Sequence, residues 1–586
     1  MLFFELQFVL FLSAIFCSGY IQPYRHHPSQ SWCPPTHKFR SSLFLGSQKE
    51  ENDSIAHLDG SRNPVNSNNQ INWTPQTLAL ALPALAGMMT DPLLSMVDTL
   101  FVARLGASSL PLAALGACTS IFHLSFHCFR ATTMSTSSLV AAALVRDEQK
   151  KEENEEEGQK EAVLITQTAI EQALITGALV SVFLLTFGHR CLAAIGVSPL
   201  SSSPTNGQLY SSALTYLNHR SLAAPAVVML MASEGIFRGY GDVITPWKIS
   251  CIVAMLNLVL DPLLMFRGNG RWKMGLGMGI KGAAIATAFS QVCGALLYGR
   301  YLFQKRLLGG GGNANDKSLG RNGGRRAELT RQKRVIATTI LRANASMMLK
   351  QGSLLLGWAY ATARATRLGH TVVASHQLAL SIWLVVALVL EGPAVAAQVI
   401  MAKEWEELKV LEKKAMYNNN DASDDKEQSP SVIEPEFFQK QSTIKSLSLY
   451  MIKLSLIQGL LGSLAVFLLR QAAPSFILTQ DPAVRRNLLT LLPHIAYQMA
   501  LVSATLVTEA LAIGGGRFKW LAGGTAVSSV IAMINLRGAG DLVDIWTGGI
   551  VVLFLGRLIT ASLAVADMNG LFSWRKSRQE KASKVP

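Results

Sequence analysis

The chain of 586 residues is 49% hydrophobic and 16% charged, with a mean hydropathy of +0.28 and a formal net charge of +15. Soluble domains carry about 25% charge, and here the apolar residues gather into runs of about 18 or more, enough to cross the hydrocarbon core of a bilayer as helices. Composition therefore excludes a soluble enzyme, a disulfide scaffold and a coiled coil, and indicates an all-α polytopic membrane protein.

Residues 1–19 read as a signal peptide. Phe8 to Phe16 is apolar but too short to span a bilayer, and Cys17-Ser18-Gly19 supplies the small residues of a cleavage site. No Lys or Arg precedes the run, and Glu5 does. Residues 20–70 read as a transit-like linker, because Tyr20 to Lys49 lacks acids and is rich in Ser, Pro, His and basic residues. The pair resembles the bipartite leaders of algae with secondary plastids, which points to a plastid envelope. Read as an ordinary tail, the same residues leave the plasma membrane and endomembranes open.

Twelve spans follow in two sets. The first set, within a bundle at 71–303, lies near 77–101, 111–145, 162–187, 213–237, 247–266 and 281–303. After a linker at 304–334, the second set within 335–566 lies near 335–360, 371–401, 446–470, 488–513, 518–536 and 543–566. The long connections 146–161, 304–334 and 402–445 follow even-numbered spans, so all three fall on one side. With the basic tail at 567–586 they hold most of the loop Lys and Arg, which puts that side toward the cytoplasm or its equivalent. This distribution sets topology and does not mark a nucleic-acid partner. The seven cysteines form no Cys-x-x-Cys pair and read as small packing residues.

The two sets resemble each other. Ala103-Arg104-Leu105-Gly106 recurs as Thr366-Arg367-Leu368-Gly369, 263 residues on, and Glu234 with Gly239 and Gly241 recurs as Glu509 with Gly514 and Gly516 at an offset of 275. Repetition across an even number of spans gives two parallel six-helix bundles, a common plan of secondary transporters.

An ionisable group inside a membrane is costly, so each one is a functional candidate. Asp98 lies deep in span 1, and Asp91 is two turns earlier, about 10 Å away along the helix. In span 5, Asn257 and Asp261 are four apart and share a helix face. Pro262 frees a backbone carbonyl one turn earlier, and Thr287 in span 6 offers a hydroxyl. Together these are oxygen ligands and titratable groups for a proton relay or a Na⁺ site. At the 263 offset Asp98 corresponds to Ala361, so the acids are concentrated in the first half. The plainer alternative is that they only hydrogen-bond neighbouring helices, or, for Asp91, cap a helix break before Pro92. Glu391 in span 8 is a candidate for the substrate cavity or a brace for a break at Pro393. Glu234 and Glu509 are expected to pair with Arg238 and Arg517. His123 and His127 share a face, but no second His box accompanies them, so polar packing is expected and no metal. Gly309 to Gly312 has no Lys-Ser/Thr after it and is a linker.

Ala81-Leu82-Pro83, Thr90-Asp91-Pro92-Leu93-Leu94-Ser95-Met96-Val97-Asp98-Thr99 and Arg104-Leu105-Gly106 resemble the opening of the multidrug and toxic compound extrusion (MATE) family, in its DinF-like branch. Phe237-Arg238-Gly239-Tyr240-Gly241-Asp242 with Thr245-Pro246, Asn257 to Pro262, Gly282 to Thr287, His376-Gln377 and Ile545-Trp546-Thr547-Gly548 agree with it. The likeness covers about 75–566. It implies twelve helices in two pseudo-symmetric bundles, and cation-coupled antiport with coupling positions at Asp98, Asn257, Asp261 and Thr287. The chain departs from the family in a longer loop between spans 5 and 6, an expanded 402–445 connection, and Glu391 where Asp is frequent.

The expected function is therefore a secondary active antiporter that exports small organic compounds (xenobiotic, organic cation or organic acid) in exchange for H⁺ or Na⁺. It is not an enzyme. Its expected partners are the substrate, the coupling cation and the lipid bilayer, with no cofactor beyond that ion, acting as a monomer. A flippase for lipid-linked substrates, requiring cationic cavity walls, and a non-transporting sensor are the alternatives.

Overall fold

The computed structural model describes residues 72–103, 110–152, 161–194, 197, 204–267, 275–307, 322–420, 433–472 and 482–570. The leader expected at 1–70 and most of the basic tail lie outside these residues. Chain contacts divide the protein into residues 1–79 and residues 80–586. In the first unit, the Asn72 side chain accepts the Thr74 N–H at 3.1 Å and starts the first helix.

The helices are α1 (Thr74–Ala103), α2 (Leu110–Glu152), α3 (Glu161–Ala194), α4 (Pro204–Ser221), α5 (Ala224–Gly239), α6 (Ile244–Met265) and α7 (Ile280–Gln304). The second half follows as α8 (Asn322–Arg367), α9 (His370–Asn420), α10 (Ile433–Ala472), α11 (Pro482–Gly514), α12 (Phe518–Arg537), α13 (Leu542–Asp544), a π-helical turn (Ile545–Val551) and α14 (Val552–Met568). Each span expected from sequence falls on a helix or on a contiguous group of helices. The fourth is split into α4 and α5, bent by 50°, because Pro225 sits at the start of α5, where it can only begin a helix. No break accompanies Pro393, through which α9 runs as one helix. Among the described residues seven helices are long and apolar enough to cross a membrane, or eight with the bent pair as one. The stretches α1, α2, α8 and α12 fall outside that count. In α2 the reason is visible: Thr132, Thr133 and Ser135 to Ser138 are polar but buried among other helices.

The outward faces are apolar. Leu449, Leu456, Ile457, Leu460, Leu461 and Leu464 of α10 are all exposed, a stripe at helical spacing that water would penalise and lipid tails accept. The second-half core is aromatic, with Trp358, Trp383, Trp546 and Phe554 in mutual contact.

The ends of α2, α3, α9 and α10 that bound the connections 153–160 and 421–432 meet at one end of the molecule. There Arg146 of α2 donates to Glu161 of α3 (Nη2–Oε1 2.8 Å) and to Glu406 of α9 (Nη1–Oε1 2.7 Å), and Lys440 of α10 holds Glu404 at 2.7 Å and also Glu407. The α5–α6 turn is tied to α7 at Asp242, which binds Lys305 at 2.5 Å and accepts from the Thr245 N–H at 2.9 Å. Burial raises the Asp242 carboxyl, but the Lys305 ammonium and the Thr245 donors outweigh it and hold the group below the usual carboxylate range.

Candidate functional site

Two of the sequence-derived candidates are in direct contact. Asn257 and Asp261 of α6 are both fully buried, and the Asn257 amide donates to Asp261 Oδ2 at 3.0 Å. Their four-residue spacing makes this contact possible within one helix. Pro262 lies inside α6 and contributes no N–H, so the carbonyl one turn earlier lacks its usual helical donor.

Thr287 is buried on the adjacent α7, its hydroxyl donating to the Ala283 carbonyl at 2.9 Å. Its position depends on how the long loop between α6 and α7 folds. Residues 276–279 turn back over the C-terminus of α6, where Leu276, Gly277, Met278 and Gly279 N–H groups donate to the carbonyls of Leu263, Phe266, Leu264 and Met265 at 2.8–3.1 Å. These are acceptors that a helix end otherwise leaves unmatched. Gly277 (φ 64°) and Gly279 (φ 58°) supply the left-handed backbone this return needs. At Gly282 a Cβ would come within 2.7 Å of the Leu264 carbonyl carbon and oxygen, so α7 starts in backbone contact with α6. Residues 276–279 and Gly282 thus fix the start of α7 against the end of α6.

Asp98 and Asp91 lie on α1, which is helical through both residues and through Pro92. Their side chains, like those of His123 and His127, are outside the described residues. The pseudo-equivalent of Asp98, Ala361, is fully buried in the second-half core, and its neighbour Thr362 contacts His376 Nε2 at 3.1 Å. Among the described residues no group of three or more His, Cys, Asp or Glu side chains could hold a metal ion.

Glu234 pairs with Arg238, as expected. Glu509 does not pair with Arg517. Arg557 of α14 grips both of its oxygens, Nε to Oε1 at 2.9 Å and Nη2 to Oε2 at 2.8 Å, while Lys350 of α8 lies 2.7 Å from Oε2. Arg517 turns instead to Asp567 at 2.5 Å. The reason is position along the helix: Glu509 is more than a turn before the end of α11, facing α8 and α14, whereas Arg517 starts α12 at the end of the bundle. Lys350 and Arg557 were legible as candidates, since each interrupts an apolar run. Glu391 of α9, half-buried, lies within electrostatic reach of Lys350.

The halves are joined by polar contacts that include Arg146–Glu406, Ser135 Oγ to Asn344 Oδ1 (2.5 Å), Gln398 Nε2 to the Met134 carbonyl (2.7 Å) and Gln172 Nε2 to the Ala337 carbonyl (2.9 Å). These four lie toward the end where α2, α3, α9 and α10 are tied together.

The MatE family model matches residues 83–263, which contain the Asn257–Asp261 pair. Protein DETOXIFICATION 43 of Arabidopsis thaliana is 26% identical over 87% of this chain and 93% of its own length. Protein DETOXIFICATION 44, chloroplastic, of the same plant is 26% identical over 67% of this chain and 72% of its own. In fold, the chain matches the Vibrio cholerae MATE transporter VcmN in its bent form at a TM-score of 0.64 and 16% identity, over 85% of this chain and 98% of that one. Family model, relatives and helical architecture agree with the sequence motifs in likening the chain to the MATE transporters.

Proposed function

We propose that the protein is a secondary active antiporter that exports small organic compounds in exchange for H⁺ or Na⁺, acting as a monomer. The observation that supports this most is the Asn257–Asp261 pair, a carboxyl at zero exposure within an apolar helix. A charge in that position is costly unless a proton, a cation or a donor satisfies it. Asp98 on α1 and Thr287 on α7 complete the coupling group in this reading, with Asp91 two turns earlier on α1. Proton or Na⁺ uptake at these oxygens would change the charge of the group, and antiport follows if ion and substrate favour different access states.

The test is flux in proteoliposomes holding the purified full chain, with a panel of organic cations and organic acids. Imposed pH or Na⁺ gradients should drive uptake of at least one compound, and an ionophore that collapses the active gradient should abolish it. A protein that moves no member of the panel under either gradient, yet flips fluorescent lipid, would be a flippase instead.

The proposed membrane is the plastid envelope, supported by the two-part leader and by a relative whose name carries the word chloroplastic. Residues 1–70 fused to a fluorescent protein should direct it to plastids; diffuse cytosolic fluorescence would remove the targeting reading.

A further inference from the structure

Helix α8 presents one open stripe. Arg334, Thr338, Arg342, Ala345, Leu349 and Leu356 are all exposed, and their helical spacing puts them on one face. The opposite face is committed to protein. Ile340, Ala343 and Met347 are buried there, while Ala337 and Asn344 meet the first half through Gln172 of α3 (2.9 Å) and Ser135 of α2 (2.5 Å). At Gly352, between the two leucines, an added Cβ would meet nothing within 4 Å, so the stripe is open in its apolar part too.

Along this face leucine gives way to arginine toward the start of the helix. That start follows the connection 304–334, on the side that the loop charges place toward the cytoplasm or its equivalent. The leaflet on that side is the negatively charged one. Charge that only sets topology can sit anywhere in a loop. Arg334 and Arg342 instead lie on the exposed face of the helix itself, with the exposed apolar side chains of Val335 and Leu341 beside them. They are two turns apart, about 12 Å along the axis. Neither guanidinium makes a hydrogen bond or ion pair among the described residues, and the exposed carboxylate of Glu171, next to Gln172 on α3, makes no ion pair there either. The protein therefore leaves both positive charges uncancelled.

We propose that Arg334 and Arg342 bind the phosphate headgroup of an anionic membrane lipid, whose acyl chains lie along Leu349, Gly352 and Leu356. Each arginine is one turn from Thr338, so the two long side chains can converge on a phosphate placed between them, a group that guanidinium binds through paired N–H donors. An acidic protein arriving from water would match the charge and leave the leucines bare. An amphiphile matches both parts of the stripe. The site is independent of the antiport reading, because it concerns the outer face of α8 and no coupling residue.

The experiment is native mass spectrometry of the purified full chain titrated with phosphatidylglycerol or phosphatidylcholine, which resolves bound lipids one at a time. Wild type should bind its first phosphatidylglycerol more tightly than its first phosphatidylcholine. Arg334→Gln and Arg342→Gln should each weaken that first binding by about fivefold, and both residues are exposed, so folding should survive. Lys445→Gln combined with Lys453→Gln removes two exposed charges from α10 and should leave it within about twofold of wild type. Glycerol 3-phosphate, a headgroup without chains, should not compete at the same concentration. Equal losses in the arginine and lysine variants would mean diffuse attraction and overturn the proposal, as would wild type with no preference between the two lipids. Competition by glycerol 3-phosphate would make this a site for soluble anions and remove the lipid assignment.

Discussion

Asp98→Asn should insert and purify like wild type, yet lose gradient-driven export, with an initial rate at least tenfold lower. The substitution is nearly isosteric, so packing is preserved, but an amide neither titrates nor carries the charge a cation would need. Ala361, fully buried at the equivalent place in the second half, shows that this helix position packs without an acid. The carboxyl of Asp98 is therefore not required for folding at that register. A tenfold loss corresponds to about 1.4 kcal/mol of transition-state or coupling energy. Asp261→Asn should give a similar but smaller defect, because the Asn257 amide beside it still offers oxygen to the cluster. Asp91→Asn, toward the middle of α1 and two turns from Asp98, should cost least. The measurement is initial efflux rate against pH for each variant, normalised to inserted protein. Wild-type rate and pH dependence in Asp98→Asn would remove Asp98 from the coupling mechanism.

Arg146→Gln should shift the protein toward a state open at the end where α2 meets α9. Arg146 is the only cation among the four inter-half contacts named above, and its partner Glu406 is 7% exposed on the side chain. A hydrogen bond to a charged group contributes about 1.5–3 kcal/mol. Arg146 is itself 29% exposed, so solvent screening brings the expected loss to about 1 kcal/mol. That changes a two-state ratio by roughly fivefold. Because Arg146 also binds Glu161, the same change loosens the α2–α3 corner, so Glu406→Gln is the cleaner companion: it breaks the contact between the halves and leaves Arg146–Glu161 intact. Spin labels placed on the exposed ends of α3 and α10 should report a larger share of long distances in both variants. If Glu406→Gln leaves the distance distribution unchanged, closure at this end rests on the neutral contacts at Ser135, Gln172 and Gln398 alone.

These two experiments probe opposite ends of one cycle. In the proposed antiport, the Asp98 variant would remove a group that takes up the coupling ion, and the Arg146 variant removes a contact between the halves. A transporter gains nothing from a closure too stable to open, and contacts of about 1 kcal/mol are of the size that an ion or a substrate can overturn.

Much of this protein is determined by sequence alone. Runs of apolar residues fix the helices, because a backbone in lipid has no other local way to satisfy its polar groups. The recurrence of Arg104-Leu105-Gly106 as Arg367-Leu368-Gly369 gives the two-fold plan. The four-residue spacing of Asn257 and Asp261 gives their hydrogen bond, since helix geometry alone brings such residues together. Contacts between helices far apart in sequence were decided only in three dimensions. Nothing near Glu509 in the chain announces Arg557, 48 residues on, or Lys350, 159 residues back. Arg517 is the nearer cation in sequence, but it lies past the end of α11 and binds Asp567. Likewise the length of the α6–α7 connection reads as slack in the sequence, whereas its residues 276–279 fold back and bond the end of α6. Local spacing sets what a helix presents on each face, and packing between helices selects which presented groups meet.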